Sequence, residues 1–123
     1  MKDILYYFSQ KIEELRTLGV NDIIADVGFG FGKTLEHNYA LLSNLALFKN
    51  LEVPLLVGLS RKSMLYKPLN NTSASALNAT TTANTIALLN GVTILRVHDV
   101  KESMEVIKLV HKLKQYGVSD ICE

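Results

Sequence analysis

Polar residues stand just beyond each of three short apolar runs in this sequence. Asp26 follows Ile23-Ile24-Ala25, Ser60-Arg61-Lys62-Ser63 follows Leu55-Leu56-Val57, and Arg96-Val97-His98-Asp99 follows Val92 to Leu95. A carboxylate such as Asp26 can accept two parallel N–H bonds from one edge of a planar heterocycle. Lys62 is a mobile point charge with three donors, suited to a ring carbonyl or an anion. Ser63 can cap a short helix or bond a ligand carboxylate. The Arg96 guanidinium can stack on a flat ring, fork onto a phosphate, or simply pair with Asp99. His98 can donate to an anion when protonated. Arg61 reads as a solvated loop cation, as do Lys33 and Glu36 at the next helix start, and His37 and His111 carry no assigned role.

Asp26 also opens a glycine loop, DVGFGFGKT, with Gly28, Gly30 and Gly32 at alternate positions. Such a backbone bends sharply and can approach a flat ligand. Phe29 and Phe31 on this loop are expected to face a ligand or a covering loop, because aromatic rings are hard to bury in so short a turn. Two phosphate motifs fail here. A Walker A loop needs four residues between its first glycine and Gly-Lys, whereas Gly28 gives three, with Val27 where glycine belongs. The dinucleotide fingerprint fails because Lys33 stands at its last glycine. No Ser-His-Asp arrangement or His/Cys metal spacing is legible.

The elements that must position these groups alternate between helix and strand. Ile4, Phe8, Ile12, Leu15 and Leu18 make one apolar face over residues 3–18, with Gly19 as its stop. Strands are expected at 22–26, 54–58 and 92–97, apolar on both faces as in a covered parallel sheet. Thr34 is a candidate N-cap for a helix to Asn50, striped by Leu35, Leu41, Leu42, Leu45 and Phe48. A third helix spans 73–90, closed by Gly91. The last begins at Asp99, which with Glu102 resembles a capping box, and turns Val100, Met104, Ile107, Val110 and Leu113 inward. Residues 117–123 have no assignment. The order α-β-α-β-α-β-α, with strands about 35 residues apart, is that of βα units in an α/β fold. Right-handed crossovers put the strand ends on one side, so the three polar clusters are expected to converge.

Bulk properties narrow the function. Apolar content is 48% and mean hydropathy +0.17, so one folded domain is expected. Thirteen basic and twelve acidic residues leave a net charge of +1, which excludes nucleic acid or a charged membrane as the expected partner. Cys122 is the single cysteine, so no intrachain disulfide forms, in keeping with a cytoplasmic location.

DVGFGFGKTLEHN, GLSRKS and ILRVHDV resemble three successive signature blocks of the dihydropteroate synthase family, in order and in register. Val27 departs from the proline usual in the first block. The resemblance implies a (β/α)8 TIM barrel, of which this chain would supply three consecutive βα units plus a leading helix, strands six to eight. It implies a transferase of folate biosynthesis, joining 6-hydroxymethyl-7,8-dihydropterin diphosphate to p-aminobenzoate and releasing diphosphate, with sulfonamides competing at the p-aminobenzoate site. By the same resemblance Asp26, Lys62, Arg96 and Phe31 would hold the pterin, and Ser63, Lys62 and Phe31 the p-aminobenzoate. Arg96 and His98 would line the diphosphate pocket, and Lys62, Arg96 and His98 would be the catalytic set. Mg2+ is implied, with its protein ligand elsewhere.

The family enzyme is about twice as long, so residues 1–123 are expected to be a partial domain with the N-terminal half of the barrel missing, which alone self-associates into a homo-oligomer and lacks normal activity. A pterin-binding methyltransferase would share Asp-type pterin binding but has no evident need for GLSRKS. A non-catalytic half-barrel that binds a pterin or a partner half is the other alternative.

Overall fold

The computed structural model describes residues 1–30 and 32–117; Phe31 and residues 118–123, which include Cys122, lie outside them. Three strands form one parallel sheet in the order β1 (Ala25–Val27), β2 (Leu55–Val57), β3 (Ile94–Leu95). In register, Asp26 stands beside Leu56, and Leu56 beside Ile94. Helices α1 (Lys2–Thr17), α2 (Leu35–Ser43), α3 (Ser63–Tyr66), α4 (Leu77–Leu89) and α5 (Val100–Gln115) surround it, with 3-10 turns at Leu45–Leu51, Lys67–Leu69 and Ser73–Ser75. No helix among the described residues is long and apolar enough to cross a membrane.

The strands are shorter than expected, and β1 lies one residue further along, so Asp26 sits inside it rather than at its end. Nor are both faces covered. Ala25, Val27, Leu55 and Val57 are buried in the main core, while Asp26 and Ile24 are exposed and Leu56 and Ile94 half-buried. This alternation is that of a sheet packed on one side. The core joins those strand residues to Leu41, Leu42, Leu45, Phe48, Leu59, Met64, Ala83 and Ala87. Phe8 of α1 meets Phe48 edge-on, with ring centres 5.8 Å apart.

The expected helix to Asn50 is instead two pieces. Asn44 turns its amide back onto the Ala40 carbonyl, 2.7 Å away, and the chain continues as the tighter 3-10 turn. Leu35 is exposed, whereas the other four residues of the predicted stripe are buried. The α5 face is also corrected. Val100, Met104, Ile107 and Leu113 are exposed, and the inward residues are Ser103, Val106 and Val110. Two apolar stripes fit the same periodicity. The stripe containing small Ser103 faces inward, and Val106 and Val110 cluster with Leu88.

Candidate active site

The glycine loop is fastened by a residue outside the sequence candidates. Thr34 caps α2 as expected, its Oγ1 accepting from the His37 N–H at 3.1 Å. One turn on, Asn38 points inward, is buried, and accepts the Gly30 N–H at 3.0 Å. A polar residue one turn before the inward Leu41 and Leu42 was the available signal. Gly30 has φ +102°, a conformation that β-carbon-bearing residues rarely adopt. Phe29 does not face a ligand with its ring: it is 5% exposed and belongs to the core. Its carbonyl points outward and accepts from Lys62 Nζ at 2.8 Å.

Lys62 therefore bridges the β2–α3 loop to the glycine loop. Burial, reinforced by the Arg96 charge and weakly by Lys33, holds its ammonium below the ordinary lysine pKa, against an opposing pull from Asp26. Lys62 is also the backbone N-cap of the short α3; Ser63 is the first helical residue and makes no side-chain cap. Ser63 instead lines a cavity of about 480 Å3 together with Lys62, Lys33, Lys67, Asn38 and Phe29. Lys33 is thus a cavity wall, not merely a solvated cation. Its lining joins three lysines, Lys33, Lys62 and Lys67, to apolar Phe29, Leu35 and Met64, a mixture that offers an aromatic anion both apolar surface and positive charge.

Beyond Lys62 lies the second part of the site. Arg96 Nη1 donates to Asp26 Oδ2 at 3.1 Å, across 70 residues of sequence. Both side chains are half-exposed or more, at 61% and 50%. The guanidinium lies over Gly58 so closely that a β-carbon there would meet Nη2 at 2.5 Å. Pairing with Asp26 replaces the alternative of pairing with Asp99. Asp99 in turn makes no side-chain cap on α5; its two oxygens take Arg61 Nε and Nη2 at 3.1 and 3.0 Å. Arg61 is accordingly not a solvated loop cation. His98 is exposed, and its backbone N–H donates to Ser60 Oγ at 3.2 Å. The three polar clusters do converge: Asp26, Lys62 and Arg96 act on one another, and Lys62 with Ser63 lines the cavity. Phe31 falls outside the described residues.

A family model described as pterin binding enzyme matches residues 1–98. The chain belongs to that family. The chain is 43% identical over 106 residues to the dihydropteroate synthase of Escherichia coli K12, covering 85% of itself and 38% of that relative. It superposes on the Yersinia pestis dihydropteroate synthase with TM-score 0.88 and 40% identity, covering 94% of itself and 55% of the other chain. The Thermus thermophilus synthase, solved in complex with 6HMPPP and with 4-aminobenzoate, matches at TM-scores 0.84 and 0.85 and 34% identity, over 91% and 92% of this chain and 46% of that one. The chain thus spans well under two thirds of these relatives, and its three parallel strands with their helices correspond to part of their barrel.

Among the described residues no group of three or more His, Cys, Asp or Glu side chains could hold a metal ion, and the Asp26 carboxylate faces Arg96. These side chains do not fit a magnesium cage of their own.

Proposed function

We propose that this chain is the part of a cytoplasmic dihydropteroate synthase that carries strands six to eight of its barrel. Its substrates would be 6-hydroxymethyl-7,8-dihydropterin diphosphate and p-aminobenzoate. The aryl amine attacks the pterin methylene carbon, a C–N bond forms, the C–O bond to diphosphate breaks with its electron pair leaving on the diphosphate, and the nitrogen releases one proton to solvent. Asp26 receives the N–H edge of the pterin. Arg96 turns from its ion pair to lie against the ring, and with His98 faces the diphosphate. Lys62 contacts the pterin on one side and the p-aminobenzoate on the other, with Ser63 holding the carboxylate of the latter; Phe31 of the glycine loop would lie near both. Preorganised cations stabilise the charge that gathers on the departing diphosphate.

The observation that carries this reading is the Asp26–Arg96 contact within electrostatic reach of Lys62, which itself lines the neighbouring cavity. An ion pair this exposed contributes at most about 1 kcal/mol, so a ring offering Asp26 two donors can displace it. The sheet face bearing Asp26, Leu56 and Ile94 is the one a closed barrel would turn inward. Among the described residues, three strands leave that face and both outer edges open to a partner, and we expect a homo-oligomer that has little turnover by itself.

Calorimetric titration with a dihydropterin diphosphate tests the proposal. The wild-type chain should bind, and Asp26→Ala should lose about 3 kcal/mol or more, on the order of a hundredfold in Kd. Equal affinity of the two chains overturns the assignment. Turnover regained on adding the remaining strands of a synthase barrel in trans would extend it from binding to catalysis.

A further inference from the structure

Arg61 takes part in more contacts than any role as a surface cation requires. Its fork grips both oxygens of Asp99, and its Nη1 donates to the Ser73 and Ala74 carbonyls at 2.8 and 2.9 Å. Its backbone N–H donates to the buried Thr80 Oγ1 at 3.0 Å. Its own backbone is left-handed, φ +53°. A residue with a β-carbon stays in that region only when its surroundings hold it there. Here the holding groups come from the turn at Ser73–Ser75, from α4 and from the start of α5. The Ser60–His98 hydrogen bond ties the same two loops a second time.

We propose that the Arg61–Asp99 pair is a positioning device that fixes Lys62 against the glycine loop and aims Ser63 into the cavity. The inference deepens the proposed synthase reading and rests on it for its functional meaning. Lys62 follows Arg61 directly, and its long side chain reaches the Phe29 carbonyl only if the preceding peptide is set. With the loop released, the flexible lysine stem would return its ammonium to water.

The test reads Lys62 without any ligand, so its failure and the failure of the synthase reading are distinguishable. The rate of amine acylation at Lys62 is followed against pH by peptide mass mapping, in the wild type and in Asp99→Asn. The groups that face this ammonium are Arg96, Asp26 and Lys33. Loss of the Asp99 negative charge by itself would move the Lys62 midpoint down. Loss of its position, by restoring hydration, moves it up. We expect an upward shift, with severalfold slower acylation at mildly alkaline pH, and wild-type behaviour on restoring the carboxylate in Asp99→Glu. A folded Asp99→Asn chain whose midpoint stays put or falls overturns the proposal. Should that variant fail to fold, Arg61→Lys decides, since it keeps the charge and loses the two-pronged grip. An unchanged Lys62 profile there overturns it equally.

Discussion

At the scale of the residue, Lys62 carries the most distinctive behaviour. Its ammonium is held below the usual lysine pKa, first by burial and then by Arg96. A bound carboxylate favours the charged form and must raise that pKa, so binding takes up a proton in the alkaline range. The affinity of 4-aminobenzoate should therefore fall as pH rises through the free chain's depressed lysine value, earlier than an ordinary lysine would dictate. Calorimetry in two buffers of different ionisation enthalpy reads the proton directly, and Lys62→Met should abolish the uptake. The sequence made Lys62, Asp26 and Arg96 legible because each belongs to a polar cluster that follows an apolar run, and strand ends converge. It left Arg61 and Asp99 misread, since a two-pronged bond across 38 residues leaves no local trace. Asn38 was missed for the opposite reason: its inward position marks it only once the helix face is known.

At the scale of the element, caps and short connections govern what holds. Thr34 accepts the His37 N–H as the spacing predicts, so Thr34→Ala should cost about 1 kcal/mol in urea unfolding. Asp99 commits its carboxylate elsewhere. Its hydrogen bond from Arg61, aided by that charge, holds its pKa below the ordinary carboxylate value against some desolvation. The folded chain binds that proton more weakly than the unfolded one. The resulting stability is complete above the unfolded carboxylate's pKa and drains away as pH falls through the lower folded value. Asp99→Asn should thus flatten the acid limb of the urea midpoint against pH. The four long helices were readable, but the short α3, the faces and the breaks were not. Asn44 and Ser103 decide them through a backbone-seeking amide and a small inward residue, details finer than hydrophobic period.

At the scale of the whole molecule, one packed face supports everything else. Phe48 and Leu45 are fully buried beneath the sheet, and Phe48→Ala should remove about 3–5 kcal/mol, a large share of the about 5–15 kcal/mol typical of a domain. Val100 and Met104 on α5 are 63% and 45% exposed, and the outer edges of β1 and β3 carry no strand partner among the described residues. Sedimentation at micromolar concentration should accordingly show dimers or larger species, and a clean monomer would count against the homo-oligomer. The α/β order and the parallel sheet were legible because each strand is a short apolar run between periodic helices. The half-open face was not, because an apolar residue reads alike whether its cover is present or absent. One more consequence follows from the bare backbone at Gly58. Its conformation admits alanine without strain, yet a single methyl there would act as a wedge under the flat cation above it. Gly58→Ala would leave every charge in place and tilt only the Arg96 guanidinium, separating geometry from electrostatics with one carbon atom.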